Sequence, residues 1–351
     1  MKVAVIGCGT IANALHIPGY MENKKAEIKY FCDIIPERAE EAVRKYGCGI
    51  AVKDYHDILN DPEVEAVSIC TPNNMHSVIS IDFLRAGKNV LCEKPAARVL
   101  EEALEMQKVQ HETGKILNIG VVNRFAPGVN YIKNMIDNGE LGEVYHVYIS
   151  FRSFRSIPQL GGPFTTKAIA GGGALIDWGI HFIDLVMYCC GDPKPLTVSG
   201  ETFSKLGCDI PNYVYKDMHA GPSDPNGTYD VEDSCTGLIR TEGPVISLNG
   251  AWAENINEEG MYIDFIGDKA GVRYDYIMGT MNVYTTHGNS LIKYSPVYRI
   301  EKGSRQNEID SFIDCVEKNE KICSHIDKAI LTSQIMDAFY RSAEIHREIE
   351  L

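Results

Sequence analysis

Positive charge is the scarce quantity in this chain. Its 351 residues carry 34 Lys and Arg against 48 Asp and Glu, a formal net charge of -14 at pH 7. That balance argues against nucleic acid as a partner, because phosphates need a positive surface, and it disfavours an anionic membrane for the same reason. It leaves room for a local pocket that holds an anionic cofactor. The chain also lacks any C-x-x-C spacing among its eleven cysteines. The spacings fit neither a zinc site nor a disulfide framework, and no metal is expected. Cys8, Cys32, Cys70 and Cys92 fall on or beside apolar runs, where a thiol behaves as a small hydrophobe. Reduced thiols and a cytoplasmic setting are therefore expected. No run of about 18 apolar residues is read in the sequence, so no membrane span is expected. The apolar stretch before Gly7 is too short for the core of a signal peptide.

What is present suits a globular enzyme. Hydrophobic residues make up 44% and charged residues 23%, and a chain of this length exceeds what one core usually supports. Over the first 120 residues short apolar runs alternate with amphipathic segments. Strands are expected at 3–6, 28–32, 64–70, 89–92 and 116–119, and helices at 10–21, 36–46, 76–86 and 99–113. Pro18 should end or kink the first helix. Such alternation implies parallel strands joined by right-handed crossovers, hence an α/β doubly wound sheet. After about residue 125 the pattern changes to strand-like runs at 144–151, 196–203, 234–241, 245–254, 261–267 and 281–286. Several are joined by short turn signals such as 267–271, which favours antiparallel neighbours. The expected second domain is α+β, one large and mostly antiparallel open sheet with helices at 130–138, 173–189, 309–318 and 329–348. The expected domains are 1–122 and 123–351. Residues 208–230, rich in Pro, Gly, Asp and Asn, read as an irregular excursion.

Gly7-Cys8-Gly9-Thr10-Ile11-Ala12 matches G-x-G-x-x-G/A between a strand and a helix, the context a dinucleotide site requires. Gly7 permits the tight turn, Gly9 lets a pyrophosphate approach the backbone, and the helix start at Thr10 and Ile11 supplies partial positive charge. Asp33 lies at the end of the second strand, where a carboxylate bonds ribose hydroxyls and repels the extra phosphate of NADP. NAD is favoured over NADP, although Arg38 lies close.

Further motifs follow in order: Thr71-Pro72-Asn73-Asn74-Met75-His76, then 86–95 ending in Glu93-Lys94-Pro95, then Asn123-Arg124-Phe125, and last 171–184, which holds Asp177, Trp178 and His181. With the glycine motif they make the chain resemble, over essentially its whole length, the glucose-fructose oxidoreductase / inositol dehydrogenase (Gfo/Idh/MocA) family. The resemblance implies a Rossmann domain followed by an open sheet that often mediates homo-oligomer contacts. It implies that Thr71, Pro72, Asn74, His76 and Asn123, with Glu93 and Lys94, border the cofactor. It also implies that Lys94, Asp177 and His181 are the catalytic trio.

The chemistry of those residue types agrees. Oxidising a secondary alcohol needs a proton acceptor, and an imidazole exchanges protons near neutral pH, so His181 is the candidate base. Asp177 precedes it by four residues and shares its face if the segment is helical. Lys94 follows a strand end, where parallel sheets place ligands, and a cation there can hold the reacting hydroxyl. Arg124, Arg152, Arg155 and Trp178 are further candidates for substrate contact, and His16 reads as structural or cofactor-bordering. The expected activity is oxidation of a sugar, a glycoside or a cyclic polyol, with pyranoside C3 as a specific version and the 208–230 excursion as a wall for an aglycone. Two alternatives stay open: an enzyme that retains NAD for glycoside cleavage or internal redox exchange, and a non-enzymatic dinucleotide sensor.

Overall fold

A computed structural model of the chain describes residues 1–216, 220–257, 259–298 and 300–351. It divides into two compact units: Met1–Ala126 with Glu301–Ile330, and Pro127–Ile300 with Leu331–Leu351. Residues 301–330 return to the first unit.

The first unit holds six strands: β1 (Lys2–Ile6), β2 (Glu27–Cys32), β3 (Ile50–Val52), β4 (Val64–Ile69), β5 (Asn89–Glu93) and β6 (Leu117–Gly120). Their order is β3-β2-β1-β4-β5-β6, and every pair is parallel. The central strands are buried on both faces, which explains their unbroken apolar runs. Ile6 pairs with both Cys32 and Ile69, Ile69 with Cys92, and Cys92 with Ile119. The carboxyl ends therefore lie level, and the order reverses between β1 and β4, the position where open α/β sheets bind ligands. The helices Pro36–Tyr46 and Leu100–Thr113 end at Gly47 and Gly114, both left-handed.

Pro18 does not end the first helix. A π-turn over Ala12–His16 leads straight into the α-helix Ile17–Glu22. Pro18 has no N–H to offer the carbonyl of Ala14, four residues back, and the Arg305 guanidinium donates to that oxygen at 3.1 Å. Arg305 belongs to the returning segment, whose helix Ser304–Lys318 buries Ile309, Phe312 and Ile313 beside Val3, Val5 and Tyr20.

Among its described residues the second unit holds nine strands: β7 (Val144–Arg152), β8 (Pro195–Phe203), β9 (Ser234–Thr241), β10 (Val245–Ala251), β11 (Gly260–Gly267), β12 (Ala270–Asp275), β13 (Thr280–His287), β14 (Ser290–Tyr294) and β15 (Ile349–Glu350). They run β14-β13-β12-β11-β7-β10-β9-β8-β15. The central β7–β10 pair is parallel and the other pairs are antiparallel. On β7, Val147, Ile149 and Phe151 are buried while Tyr148 is exposed, so one face is covered and the other is open. Strand β12 starts inside what the sequence suggested was a turn, and β14 is exposed along its whole length, leaving no alternation to read.

The stretch Lys167–Cys189 is long and apolar enough to cross a membrane by length and composition, which the sequence reading missed. In the fold it is mostly buried, as a core helix is.

Candidate functional site

In the first unit the glycine loop is built by backbone demands. Gly7 has φ +89, and a Cβ there would lie 2.6 Å from the Cys70 carbonyl oxygen, so no L side chain fits. At Gly9 a Cβ would meet nothing within 4 Å, leaving that backbone open to a ligand. Asp33 braces the loop: Oδ2 accepts from the Cys8 N–H at 2.9 Å and Oδ1 from the Ile35 N–H at 2.9 Å. Each oxygen keeps a further lone pair for a ribose hydroxyl. Burial and the nearby Asp33 push the Cys8 thiol up to about 12, so it stays protonated. Asn13 donates to the carbonyls of Cys8 and Gly9 at 2.9 and 3.1 Å. It stands one residue beyond the glycine motif and was missed in the sequence. Thr10 and Ile11 are exposed at the helix start, and the Thr71 Oγ1 is buried without a hydrogen-bond partner. An open loop, a helix start, a strand-end carboxylate and an orphaned hydroxyl fit a dinucleotide.

His76 clamps the two loops that follow β4 and β5. Its Nδ1 lies 2.7 Å from the Pro95 carbonyl oxygen and its Nε2 lies 2.9 Å from that of Thr71. Two carbonyls would favour an imidazolium, whereas burial lowers the His76 pKa. A neutral ring can donate to only one of the two carbonyls. Glu93 is buried beside His16, whose Nε2 lies 3.0 Å from Oε1, while Oε2 accepts from the Lys94 N–H at 3.0 Å. His16 in turn meets Ser68 Oγ at 3.1 Å, and Tyr20 meets that same oxygen at 2.6 Å. Burial raises the Glu93 pKa, but His16 and Lys94 outweigh it and hold the carboxyl below its ordinary value. Glu93 thus anchors the backbone of Lys94. Pro72, Asn74 and Asn123 lie at surface-accessible positions of the same unit.

Arg124 is a buried residue of the first unit. It is 1% exposed, and its guanidinium donates to the Cys323 carbonyl at 2.8 Å, fastening the returning segment. Arg155 is likewise occupied structurally, donating to the carbonyls of Phe154 and Glu254 and to Asn255. Neither arginine lines the large cavity described next.

That cavity, about 940 Å³, lies in the second unit where β7 and β12 end and β11 and β13 begin. It brings together Asp177, Trp178, His181 and Arg152. The helix that carries the first three is otherwise almost wholly buried, yet Asp177, Trp178 and His181 are each half-exposed. A π-turn over Leu175–Gly179 sets their phase, a distortion common at functional sites. Its start is held by Glu232, a buried residue that sequence reasoning missed. Glu232 Oε2 accepts from the Gly173 N–H and Oε1 from the Leu175 N–H, each at 2.9 Å, and the Tyr340 hydroxyl donates to Oε1 at 2.9 Å. Burial raises the Glu232 pKa against these bonds. At Gly173 a Cβ would lie 2.0 Å from the Glu232 carbonyl oxygen, so the glycine run is what lets the segments touch. Asp184, further along the helix, accepts from Thr332 at 3.1 Å and is buried, a packing residue. Arg152 is paired with Glu254 at 2.7 Å. Arg273 is bidentate to Asp264 at 2.7 and 2.5 Å and lies over the Tyr262 ring. A chamber lined by carboxylates, guanidinium groups and aromatic rings suits a polyhydroxylated ligand, whose hydroxyls need directed partners.

A model of the oxidoreductase family with an NAD-binding Rossmann fold (GFO/IDH/MocA) matches residues 1–121, and a model of the GFO/IDH/MocA C-terminal domain matches residues 129–273. The chain belongs to the GFO/IDH/MocA oxidoreductase family. NAD is the cofactor of its Rossmann unit. Among similar proteins, D-glucoside 3-dehydrogenase of Escherichia coli (strain K12) is 31% identical over 354 residues, spanning all of this chain and 97% of that protein. Inositol 2-dehydrogenase of Rhizobium meliloti (strain 1021) is 26% identical, spanning 100% and 99%. A solved levoglucosan dehydrogenase, in complex with NADH and levoglucosan, superposes with a TM-score of 0.83 at 22% identity, covering 100% of this chain and 99% of that one. This last likeness bears on the fold. The GFO/IDH/MocA match covers both units and agrees with the parallel six-stranded sheet and the mixed nine-stranded one.

Proposed function

We propose that this GFO/IDH/MocA protein oxidises a ring hydroxyl of a sugar, glycoside or cyclic polyol, with C3 of a pyranoside as the favoured position. The observation that carries the reading is the opening of Asp177 and His181 onto one cavity rich in hydrogen-bonding groups. NAD, when bound, supplies the acceptor for the hydride. Gly7, Gly9, Thr10, Ile11 and Asp33 hold its adenosine diphosphate part, and the loops at Thr71–His76 and Glu93–Lys94 border the rest. His181 takes the hydroxyl proton, the part an imidazole plays in general base catalysis. Lys94 holds the reacting oxygen and offsets developing alkoxide charge, its backbone fixed by Glu93. Asp177 accepts from a neighbouring ring hydroxyl or orients His181. Arg152 and Trp178 contact the ring.

Full-length similarity to a protein named D-glucoside 3-dehydrogenase supports the choice of position, and similarity to inositol 2-dehydrogenase keeps cyclic polyols in view. Eleven cysteines, all free, support a reducing, cytoplasmic setting. The open sheet face with Tyr148 and Tyr284 supports association of copies of the chain.

The test is turnover. Purified protein is supplied with NAD and with glucosides, free hexoses or inositols, and reduced nicotinamide is followed by absorbance with 3-keto product identified by mass and NMR. His181→Ala is expected to lower kcat by roughly 10²–10⁴-fold while NAD still binds. Absence of product from the whole panel, or full turnover by the variant, would remove the assignment.

A further inference from the structure

We propose that Ile277 and Met278 form a second subsite of the same cavity, one that takes the apolar aglycone of a glycoside. This rests on the reading above and deepens it. Both residues line the cavity that holds Asp177 and His181. They stand side by side on the turn between β12 and β13, and are 67% and 71% exposed. A hairpin turn is normally polar, so two adjacent large apolar side chains at its tip are out of keeping with their position.

The turn is held rigidly. Asp275 accepts from the Met278 N–H through Oδ1 at 2.9 Å and from the Gly279 N–H through its carbonyl at 2.9 Å. The Tyr276 N–H donates to the Met261 carbonyl at 3.0 Å, and the Tyr298 hydroxyl donates to that of Gly279. The Tyr276 ring packs on Phe182 at 4.3 Å between centroids. Apolar groups presented on a fixed frame bind with little further loss of entropy.

The chemistry of the occupant follows from what the two side chains cannot do. A sugar hydroxyl set against Ile277 and Met278 would lose water and gain no partner. The part of the ligand seated there is therefore free of hydroxyls. The polar lining of the same cavity, with Asp177, His181 and Arg152, takes the ring. At about 940 Å³ the space is near the upper end of what ligand cavities occupy, roughly 300–1,000 Å³, and exceeds one pyranose ring. Among the described residues of the 208–230 excursion, none lines this cavity. Its residues 217–219 lie outside the described residues, and Ile210, Tyr213, Tyr215 and Tyr229 pack instead with Trp252 and Leu160.

The experiment compares kcat/KM for phenyl glucoside and methyl glucoside in the unmodified protein and in Ile277→Ala, Met278→Ala and Ile277→Ser/Met278→Ser. The unmodified protein is expected to prefer the phenyl glucoside. The double variant is expected to reduce that preference about tenfold, mainly through KM, as loss of apolar contact area should. Both side chains are exposed, and a thermal melt checks that each variant is folded. Oxidation of both glucosides with no preference, or an unchanged preference in the variants, overturns the subsite alone. A lower subunit count by light scattering with the preference unchanged overturns it in favour of a contact between copies. No oxidation of either glucoside by the unmodified protein overturns the functional reading and the subsite with it.

Discussion

At the scale of single residues, Gly7 and Gly9 look alike in the sequence and differ in the fold. A methyl group at Gly7 would meet the Cys70 carbonyl at 2.6 Å on a backbone with φ +89, whereas at Gly9 it would meet nothing within 4 Å. Gly7→Ala is therefore expected to destabilise the protein by about 2–4 kcal/mol, the sum of left-handed strain and a backbone clash. Gly9→Ala is expected to leave stability within about 0.5 kcal/mol and to weaken NAD at least tenfold, because its methyl occupies the space the pyrophosphate needs. Urea unfolding without NAD and titration of NAD by protein fluorescence separate the two. Equal loss of stability in both variants would refute this division of roles. The glycine spacing was legible because it answers a local backbone demand. The bracing of the loop by Asp33 was not, because the partner N–H of Cys8 stands 25 residues away.

At the scale of elements, the long periodic segments were legible and their distortions were not. The helix Pro36–Tyr46 and the strand Ser234–Thr241 have the bounds their patterns suggest. The two π-turns, at Ala12–His16 and Leu175–Gly179, leave no mark in composition, since an extra residue in a turn is accommodated by what packs around it. Glu232 belongs to that surrounding and is one acid in an irregular stretch. It accepts three hydrogen bonds, two from the start of the helix that carries Asp177 and His181. Glu232→Ala strands those donors and is expected to cost about 2–4 kcal/mol in urea unfolding. It is also expected to lower kcat at least tenfold at a temperature where the variant is still folded, because small misplacement of reacting groups is costly. Glu232→Gln keeps one acceptor oxygen and should fall between. Unchanged kcat in a folded Glu232→Ala would show that the helix start needs no carboxylate.

At the scale of the whole molecule, chain order and spatial order part company at 301–330. Its helices are legible from periodicity, but amphipathic helices do not say which core they cover, and this segment packs with Val3 and Val5 at the opposite end of the sequence. The segment is fastened at His325, which is 1% exposed. Its Nδ1 accepts from the Asp327 N–H at 3.3 Å, and Ser324 accepts from the Ile119 N–H at 2.9 Å. Burial lowers the His325 pKa to about 4 against the opposing charge of Asp327. For Asp327 burial acts upward, but Lys321, Gln107 and His111 outweigh it and hold the carboxyl well below the usual range. Asp327 therefore stays ionised while His325 titrates. A histidine whose folded pKa lies below its unfolded value of about 6.5 contributes stability that is full above that pH and is lost as pH falls through about 4. The protein is expected to lose at most about 3 kcal/mol from this group over that window. In His325→Gln no proton can be taken up, so unfolding free energies measured in urea at pH 7 and pH 4.5 should differ less than in the unmodified protein, by about 2–3 kcal/mol. Parallel pH dependence in the two proteins would show that acid loosens this unit through some other group.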